Sequence, residues 1–335
     1  MRKFVWIGLA ALILILLGAY LAASYVVYDT LADIEGGCWE RGYGENQPTS
    51  FGVPAAADMD AAAGTRDGWP VDFDFSQYFM ETYETVSFPS RDPEISITGW
   101  FVPGDEGAPA VILTHGLGTC KNSPGILTPA GILNGAGYHV LMIDVRDAGD
   151  STFEDGRSAM GTEEHRDILG AWDWLIAEKG LAPEQIGLLG NSMGAGTTLV
   201  AFAQEPRVAA AFVDSPFADL QMAIEGELQG NSYPTWLAPG GILMARLASG
   251  DNITAYDPRD AARLAAGRPL MAVHSRADER LSFHHTEILA EDGAAAGNNV
   301  DVWIVDGATH NRILGRYPQE FAQRLVGFFD AALRS

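Results

Sequence analysis

The stretch with the clearest chemical potential is Gly190-Asn191-Ser192-Met193-Gly194, a G-x-S-x-G pattern set between the apolar run Ile186–Leu189 and small or apolar residues at helical spacing. A strand that turns sharply into a helix holds its central serine hydroxyl above a sheet, and flanking glycines let the backbone close up there. The helix beginning at that point offers free N–H groups and partial positive charge to a developing oxyanion. A serine hydroxyl is a poor nucleophile at neutral pH and needs a positioned base. Of the seven histidines, His310 stands in Asp306-Gly-Ala-Thr-His310, a loop directly after the last expected strand and therefore at the same sheet edge. His115 suits an oxyanion loop better, while His139, His165, His274, His284 and His285 read as structural or solvent-facing. The base in turn needs a carboxylate to orient it. Asp278, after the penultimate strand, is the candidate, with Asp214 as its main rival and Asp306 as a weaker one. Two backbone donors would complete the set. These are the N–H of Met193 and that of Leu117, in the turn His115-Gly116-Leu117-Gly118.

The elements that must bring these residues together are legible as an alternation. Glu84–Phe88 and Glu94–Val102 have strand periodicity, and Ala110–Leu113 is a continuous apolar strand. Ile126–Asn134 reads as a helix and Tyr138–Ile143 as a strand. Glu163–Lys179 carries Ile168, Leu169, Trp172, Leu175 and Ile176 on one helical stripe that Gly180 ends. After the serine turn come strands at Val208–Val213, Leu270–Val273 and Val300–Val305, then a helix at Pro318–Leu333. Strands buried on both faces and alternating with helices predict a mostly parallel sheet covered on both sides. Ligands of such sheets sit at the carboxyl ends of the strands, where Ser192 falls.

The region from Glu84 to the C-terminus resembles the α/β-hydrolase superfamily of serine hydrolases. Val86-Ser-Phe-Pro-Ser90, Thr98-Gly-Trp-Phe-Val-Pro103, the His115-Gly116 turn, Asp144-Val-Arg-Asp-Ala-Gly-Asp-Ser151 and the order Ser192, Asp278, His310 carry the likeness. It is similar in particular to the membrane-anchored esterase and acyl-hydrolase branch with one N-terminal span. Asp147 departs from the usual pattern, where a glycine is common, which questions the backbone of that loop. The resemblance implies an α/β-hydrolase domain at 83–335 with a lid at 215–257, inserted after the sixth strand. The apolar residues of that lid, among them Phe217 and Trp236, are candidates for substrate contact together with His115 and Gly116.

Phe4–Val27 is nearly uninterrupted apolar sequence, long enough for a membrane span of about 20 residues. Arg2 and Lys3 precede it; Asp29, Asp33, Glu35 and Glu40 follow. The charge asymmetry predicts a signal-anchor over 1–28, its N-terminus cytoplasmic and the remainder extracytoplasmic. A cleaved signal peptide ending near Ala22-Ala23-Ser24 is the alternative, although its apolar core would be unusually long. Residues 29–82 read as a tether and packed N-terminal extension without clear periodicity. The net charge of −23 argues against nucleic-acid binding. Cys38 and Cys120 are too few for a disulfide framework, although they could pair outside the cytoplasm.

The expected activity is hydrolysis of small-molecule or lipid-like carboxylic esters through an acyl-enzyme on Ser192, with no metal or organic cofactor. A serine peptidase of the same fold and a catalytically idle binding module are the alternatives.

Overall fold

The computed structural model describes residues 2–34, 42–55 and 57–334; Cys38, Trp39, Glu35 and Glu40 lie outside the described residues. The chain opens with helix α1, Arg2–Ala32. Lys3–Ala32 has a mean hydropathy of 2.5 and is long and apolar enough to cross a membrane. Its two halves differ. Residues 3–19 are exposed throughout, whereas Ser24, Val27, Tyr28 and Ala32 are buried against the rest of the protein.

The extension that follows contains short strands β1 (Met59–Asp60), β2 (Thr65–Arg66) and β3 (Trp69–Pro70), paired antiparallel. Two-residue strands are too short to print a period, so the sequence carries no trace of them. Trp69 anchors the segment: it is buried, and the rings of Phe73 and Phe75 meet it edge-on at 4.9 and 5.0 Å.

The main sheet has eight strands: β4 (Glu84–Pro89), β5 (Ser96–Val102), β6 (Ala110–Thr114), β7 (His139–Ile143), β8 (Ile186–Asn191), β9 (Ala210–Asp214), β10 (Leu270–Ser275) and β11 (Asp301–Val305). Their spatial order is β11-β10-β9-β8-β6-β7-β5-β4, parallel except where β5 pairs with β4 and β7. Every residue of β6, β8, β9 and β10 is buried, the signature of strands covered on both faces. Helices α2 (Pro124–Gly135), α3 (His165–Lys179), α4 (Met193–Gln204), α5 (Leu220–Gly230), α6 (Ala238–Ala248), α7 (Asp260–Arg263), α8 (His284–Ala295), α9 (Ile313–Arg316) and α10 (Pro318–Leu333) complete it. One core packs α3 and α4 against the sheet through Trp172, Leu199 and Phe202. The other packs α2 and α10 through Leu127, Leu325 and Phe329.

The lid follows β9, the sixth strand of this sheet, and carries α5 and α6. Helix α1 docks on it by close approach of small residues. A Cβ on Gly240 would stand 2.0 Å from the Ser24 Oγ, and one on Gly241 would stand 3.1 Å from Val27. Tyr20 stacks on Trp236 at 5.7 Å. In the last turn of α1, Asp29 pairs with Arg157 at 2.7 Å, and just beyond the helix Asp33 bridges Arg157 through the backbone.

Candidate active site

The turn between β8 and α4 is as tight as the spacing of its glycines requires. Ser192 has φ 53° and ψ −120°, a conformation that non-glycine residues rarely adopt and that needs surrounding structure to hold it. A Cβ on Gly190 would lie 2.2 Å from the Gly194 carbonyl oxygen, and one on Gly194 2.4 Å from the carbonyl oxygens of Thr114 and His115. The Ser192 N–H donates to the Asp214 carbonyl at 2.9 Å, which ties the turn to β9.

His310 arrives from the loop after β11. Its Nε2 lies 2.7 Å from Ser192 Oγ and its Nδ1 2.8 Å from Asp278 Oδ2. With Nδ1–H donated to the carboxylate, the Nε2 lone pair of the neutral ring faces the serine hydroxyl. The His310 backbone N–H donates to Glu279 at 3.2 Å. Asp278 Oδ1 accepts from the N–H groups of Arg280 and Leu281 at 3.0 and 2.9 Å. Burial works to raise the Asp278 pKa, but the hydrogen bonds from His274 and His310 outweigh it and hold the carboxyl well below the usual carboxylate range.

His274 belongs to this group, although its sequence position suggested only structure. Its Nε2 lies 2.9 Å from the Leu281 carbonyl oxygen and 3.2 Å from Asp278 Oδ2. A carbonyl can only accept, so Nε2 carries the hydrogen, and the Thr286 hydroxyl at 3.0 Å donates to Nδ1. Asp278 thus sits between two imidazoles. The available signal was the i, i+4 spacing of His274 and Asp278 across a strand end, which alone specifies nothing. Asp214, the rival carboxylate, points elsewhere: its partner is the Ser215 hydroxyl at 3.1 Å, and burial pushes its pKa up to about 7.

Gly116 approaches the serine closely, and Leu117 lines both cavities that open at Ser192. A Cβ on Gly116 would stand 3.1 Å from that of Ser192. Among the described residues, no protein acceptor takes the N–H of Leu117 or of Met193. His115 is not turned to the cleft. It is buried, its Nε2 accepts the Val145 N–H at 3.2 Å, its Nδ1 faces the Gly116 carbonyl at 3.0 Å, and burial pushes its pKa down. The expectation that it contacts substrate is therefore corrected to a neutral imidazole that braces the turn from behind. Asp147 keeps the glycine-like conformation of its loop, with φ 61°. Its Oδ1 accepts the N–H groups of Glu154, Asp155 and Gly156 at 2.6–3.0 Å, which makes the left-handed turn worth adopting.

Two cavities share Ser192 and Leu117. The apolar one, about 300 Å³, is lined by Met193, Phe217, Ile224, Ile253 and Leu281, and by Val27 and Leu31 of α1. The polar one, about 360 Å³, is lined by Gly116, Asn191 and His310, and by Asp58, Asp60 and Asp67 of the extension. Phe217 thus lines the apolar cavity. Trp236 does not, which corrects the expectation that it contacts substrate: it is 62% exposed and its ring stacks on Tyr20 of α1 instead. Cys120 is disulfide-bonded. Among the described residues, no three His, Cys, Asp or Glu side chains are grouped as metal ligands.

The sheet order, the covering helices and the serine turn define an α/β-hydrolase. The chain belongs to the prolyl oligopeptidase family, whose model matches residues 128–335. Among solved structures it is similar to the esterase Pf2001 of Pyrococcus furiosus, at 22% identity and a TM-score of 0.61, covering 78% of this chain and 95% of that one. It is also similar to the acylaminoacyl peptidase of Pyrococcus horikoshii, at 20% identity and a TM-score of 0.57, covering 76% of this chain and 43% of that one. An uncharacterized 31.7 kDa Escherichia coli protein from the traX-finO intergenic region is 31% identical over 148 residues, or 43% of this chain. The chain spans about half of that relative's length, 50%. The uncharacterized protein YfhR of Escherichia coli O157:H7 is 24% identical over 75% of this chain and 81% of its own.

Proposed function

We propose that the protein is a membrane-anchored serine hydrolase of carboxylic esters, with Ser192 as nucleophile, His310 as base and acid, and Asp278 as the group that orients His310. The observation that carries this reading is the unbroken chain from Ser192 Oγ through His310 to Asp278, at 2.7 and 2.8 Å, opening on an apolar cavity. The Ser192 oxygen attacks the acyl carbonyl as its proton passes to His310 Nε2. The carbonyl oxygen takes up negative charge facing the N–H groups of Leu117 and Met193. Collapse breaks the ester C–O bond, and the imidazolium returns its proton to the departing alkoxide. Water then attacks the acyl carbonyl as His310 Nε2 takes its proton, and collapse breaks the acyl bond to Ser192 Oγ, which recovers the proton from His310 as the carboxylic acid leaves.

A second reading, a serine peptidase, draws support from the family to which the chain belongs and from the likeness to an acylaminoacyl peptidase. The apolar character of the cavity beside Met193 and Phe217 favours an acyl chain over a peptide, which needs backbone partners. Kinetics on short-chain p-nitrophenyl esters against peptide p-nitroanilides separate the two. Ester turnover that is lost in Ser192→Ala supports the proposal, and turnover confined to the anilides refutes it.

The placement of α1 as an uncleaved anchor, with the catalytic domain extracytoplasmic, is part of the same proposal. Arg2 and Lys3 on one side of the apolar stretch, and Asp29 and Asp33 on the other, support the orientation. Cleavage near Ser24 would remove Tyr20 from Trp236 and uncover Gly240 on the lid. Mass spectrometry of the mature N-terminus decides it: an N-terminus within 22–26 would contradict the anchor.

A further inference from the structure

The segment of α1 beyond its exposed half is packed into the enzyme, and it reaches the cavity at the serine. We infer that residues 27–32 of α1 form one wall of the acyl site, and that the substrate is a bilayer-resident ester carrying an acyl chain and an uncharged polar head. The inference deepens the proposed hydrolase activity and rests on it.

Three observations converge. Val27 and Leu31 face Ile224, Ile253 and Leu281 across the apolar cavity, so without the helix the cavity would stand open on that side. Its volume, about 300 Å³, lies at the small end of ligand sites, which suits a single chain better than a broad ring system. Second, the helix places this wall at the membrane surface. Residues 3–19 are exposed and at a rise of about 1.5 Å per residue they span roughly 26 Å. The hydrocarbon core is about 30 Å thick, so it reaches to the level of Tyr20 and the lid. There the lid turns apolar groups outward: Trp236, Leu243 and Leu247 are exposed beside α1. A tryptophan in that position suits the headgroup boundary. An acyl chain leaving the bilayer along α1 would therefore meet the cavity wall without crossing open water.

Third, the cavity on the other side of Ser192 is polar and has an excess of negative charge. Among the described residues, Asp58, Asp60, Asp67 and Glu279 line it, with Arg280 and Arg312 as its fixed cations. Both guanidiniums are already engaged, Arg280 with Glu227 at 2.7 Å and Arg312 with Asp67 at 3.1 Å. A phosphate-bearing head would be repelled there, whereas a glycerol-like head finds hydrogen-bond partners. The scissile bond would lie where the two cavities meet.

The test uses the full chain in detergent micelles, with p-nitrophenyl esters from acetyl to palmitoyl and the variants Leu31→Trp and Leu31→Ala. Filling the cavity from the helix side should lower the dodecanoyl-to-acetyl ratio of kcat/KM by about tenfold or more in Leu31→Trp. Enlarging it should move the optimum of Leu31→Ala to longer chains. The inference is overturned if both variants keep the wild-type chain-length profile while Ser192 still reacts with a fluorophosphonate probe. Should Leu31→Trp fail to react with the probe, Leu31→Ala alone decides by the same criterion. On matched chains, 1-monoacylglycerol should be cleaved about tenfold faster than lysophosphatidic acid; the reverse order would overturn the head-group assignment. A wild-type chain that neither labels nor hydrolyses any ester refutes the hydrolase reading itself, a different outcome from an unchanged profile.

Discussion

Replacing Asp278 by Asn tests the part of the site where structure and rivalry among carboxylates matter most. Both oxygens of Asp278 serve as acceptors: Oδ2 faces His310 and His274, and Oδ1 faces the N–H groups of Arg280 and Leu281. An amide has one acceptor oxygen, so either orientation of the Asn sets its NH₂ against two donors. If the NH₂ faces His310, the ring is driven to accept at Nδ1 and carry its hydrogen on Nε2, which then points a donor at Ser192 and can take no proton. If it faces the other way, Arg280 and Leu281 lose their acceptor and the loop must shift. A wrongly held tautomer in a triad of this kind costs about 10³–10⁴ in kcat, or roughly 4–5.5 kcal/mol of transition-state stabilisation. The assay is steady-state hydrolysis of a short p-nitrophenyl ester at pH 7.5, with Asp214→Asn in parallel. Asp214 touches neither His310 nor Ser192 through its side chain, so its variant should keep kcat within about tenfold. Asp278→Asn retaining a tenth of wild-type kcat would refute the reasoning, as would Asp214→Asn falling as far.

Much of the frame is legible because the strands of the main sheet and the long helices that cover it carry their own local signals, which the two-residue strands β1, β2 and β3 do not. The helix Pro318–Leu333 is found at its expected bounds, and the strand at Ile186 and the helix ending at Lys179 are found where their apolar runs and Gly180 placed them. The residues at Ser192, Asp278 and His310 were legible because each follows a strand at the same sheet edge. What escaped was side-chain direction. The sequence around His115 reads equally well whether its ring faces the cleft or the core, and Val145 decides for the core. Trp236, apolar and in the lid, reads from sequence as a substrate contact, yet its neighbour is Tyr20, more than two hundred residues earlier in the chain. His274 reads from sequence as structural or solvent-facing because its partnership with Asp278 depends on a loop bending back to Leu281. In each case a contact distant in sequence settled what local pattern could not.

Further outcomes follow from single contacts. Gly194→Ala would drive a methyl to 2.4 Å from two carbonyl oxygens of the β6 edge and should cost about 3 kcal/mol or more, seen as a large drop in Tm. Gly135→Ala, which meets nothing within 4 Å, should be neutral or stabilise by up to about 1 kcal/mol; equal melting of the two variants would contradict the packing described. The Asp214 carboxyl, with a pKa raised by burial to about 7, costs the fold nothing below its unfolded pKa of about 4. That cost accumulates as pH rises, and is complete above about pH 7. Asp214→Asn should therefore equal wild type near pH 4 and exceed it at pH 8 by at most roughly 4 kcal/mol in urea denaturation, and a constant difference across that range would count against the buried ionisation. His274→Phe removes the second imidazole from Asp278 and leaves the Leu281 carbonyl and Thr286 hydroxyl unpaired, so stability should fall by about 2–4 kcal/mol and kcat by about tenfold, checked by melting and ester turnover.

The claim on which everything else depends is that the Ser192 oxygen is activated by its neighbours. Full-length protein treated with a fluorophosphonate, digested and sequenced by mass spectrometry should carry the phosphonyl group on Ser192, and the adduct should vanish in Ser192→Ala and fade in His310→Ala. Modification at another serine, or equal labelling of the His310→Ala protein, would contradict the account.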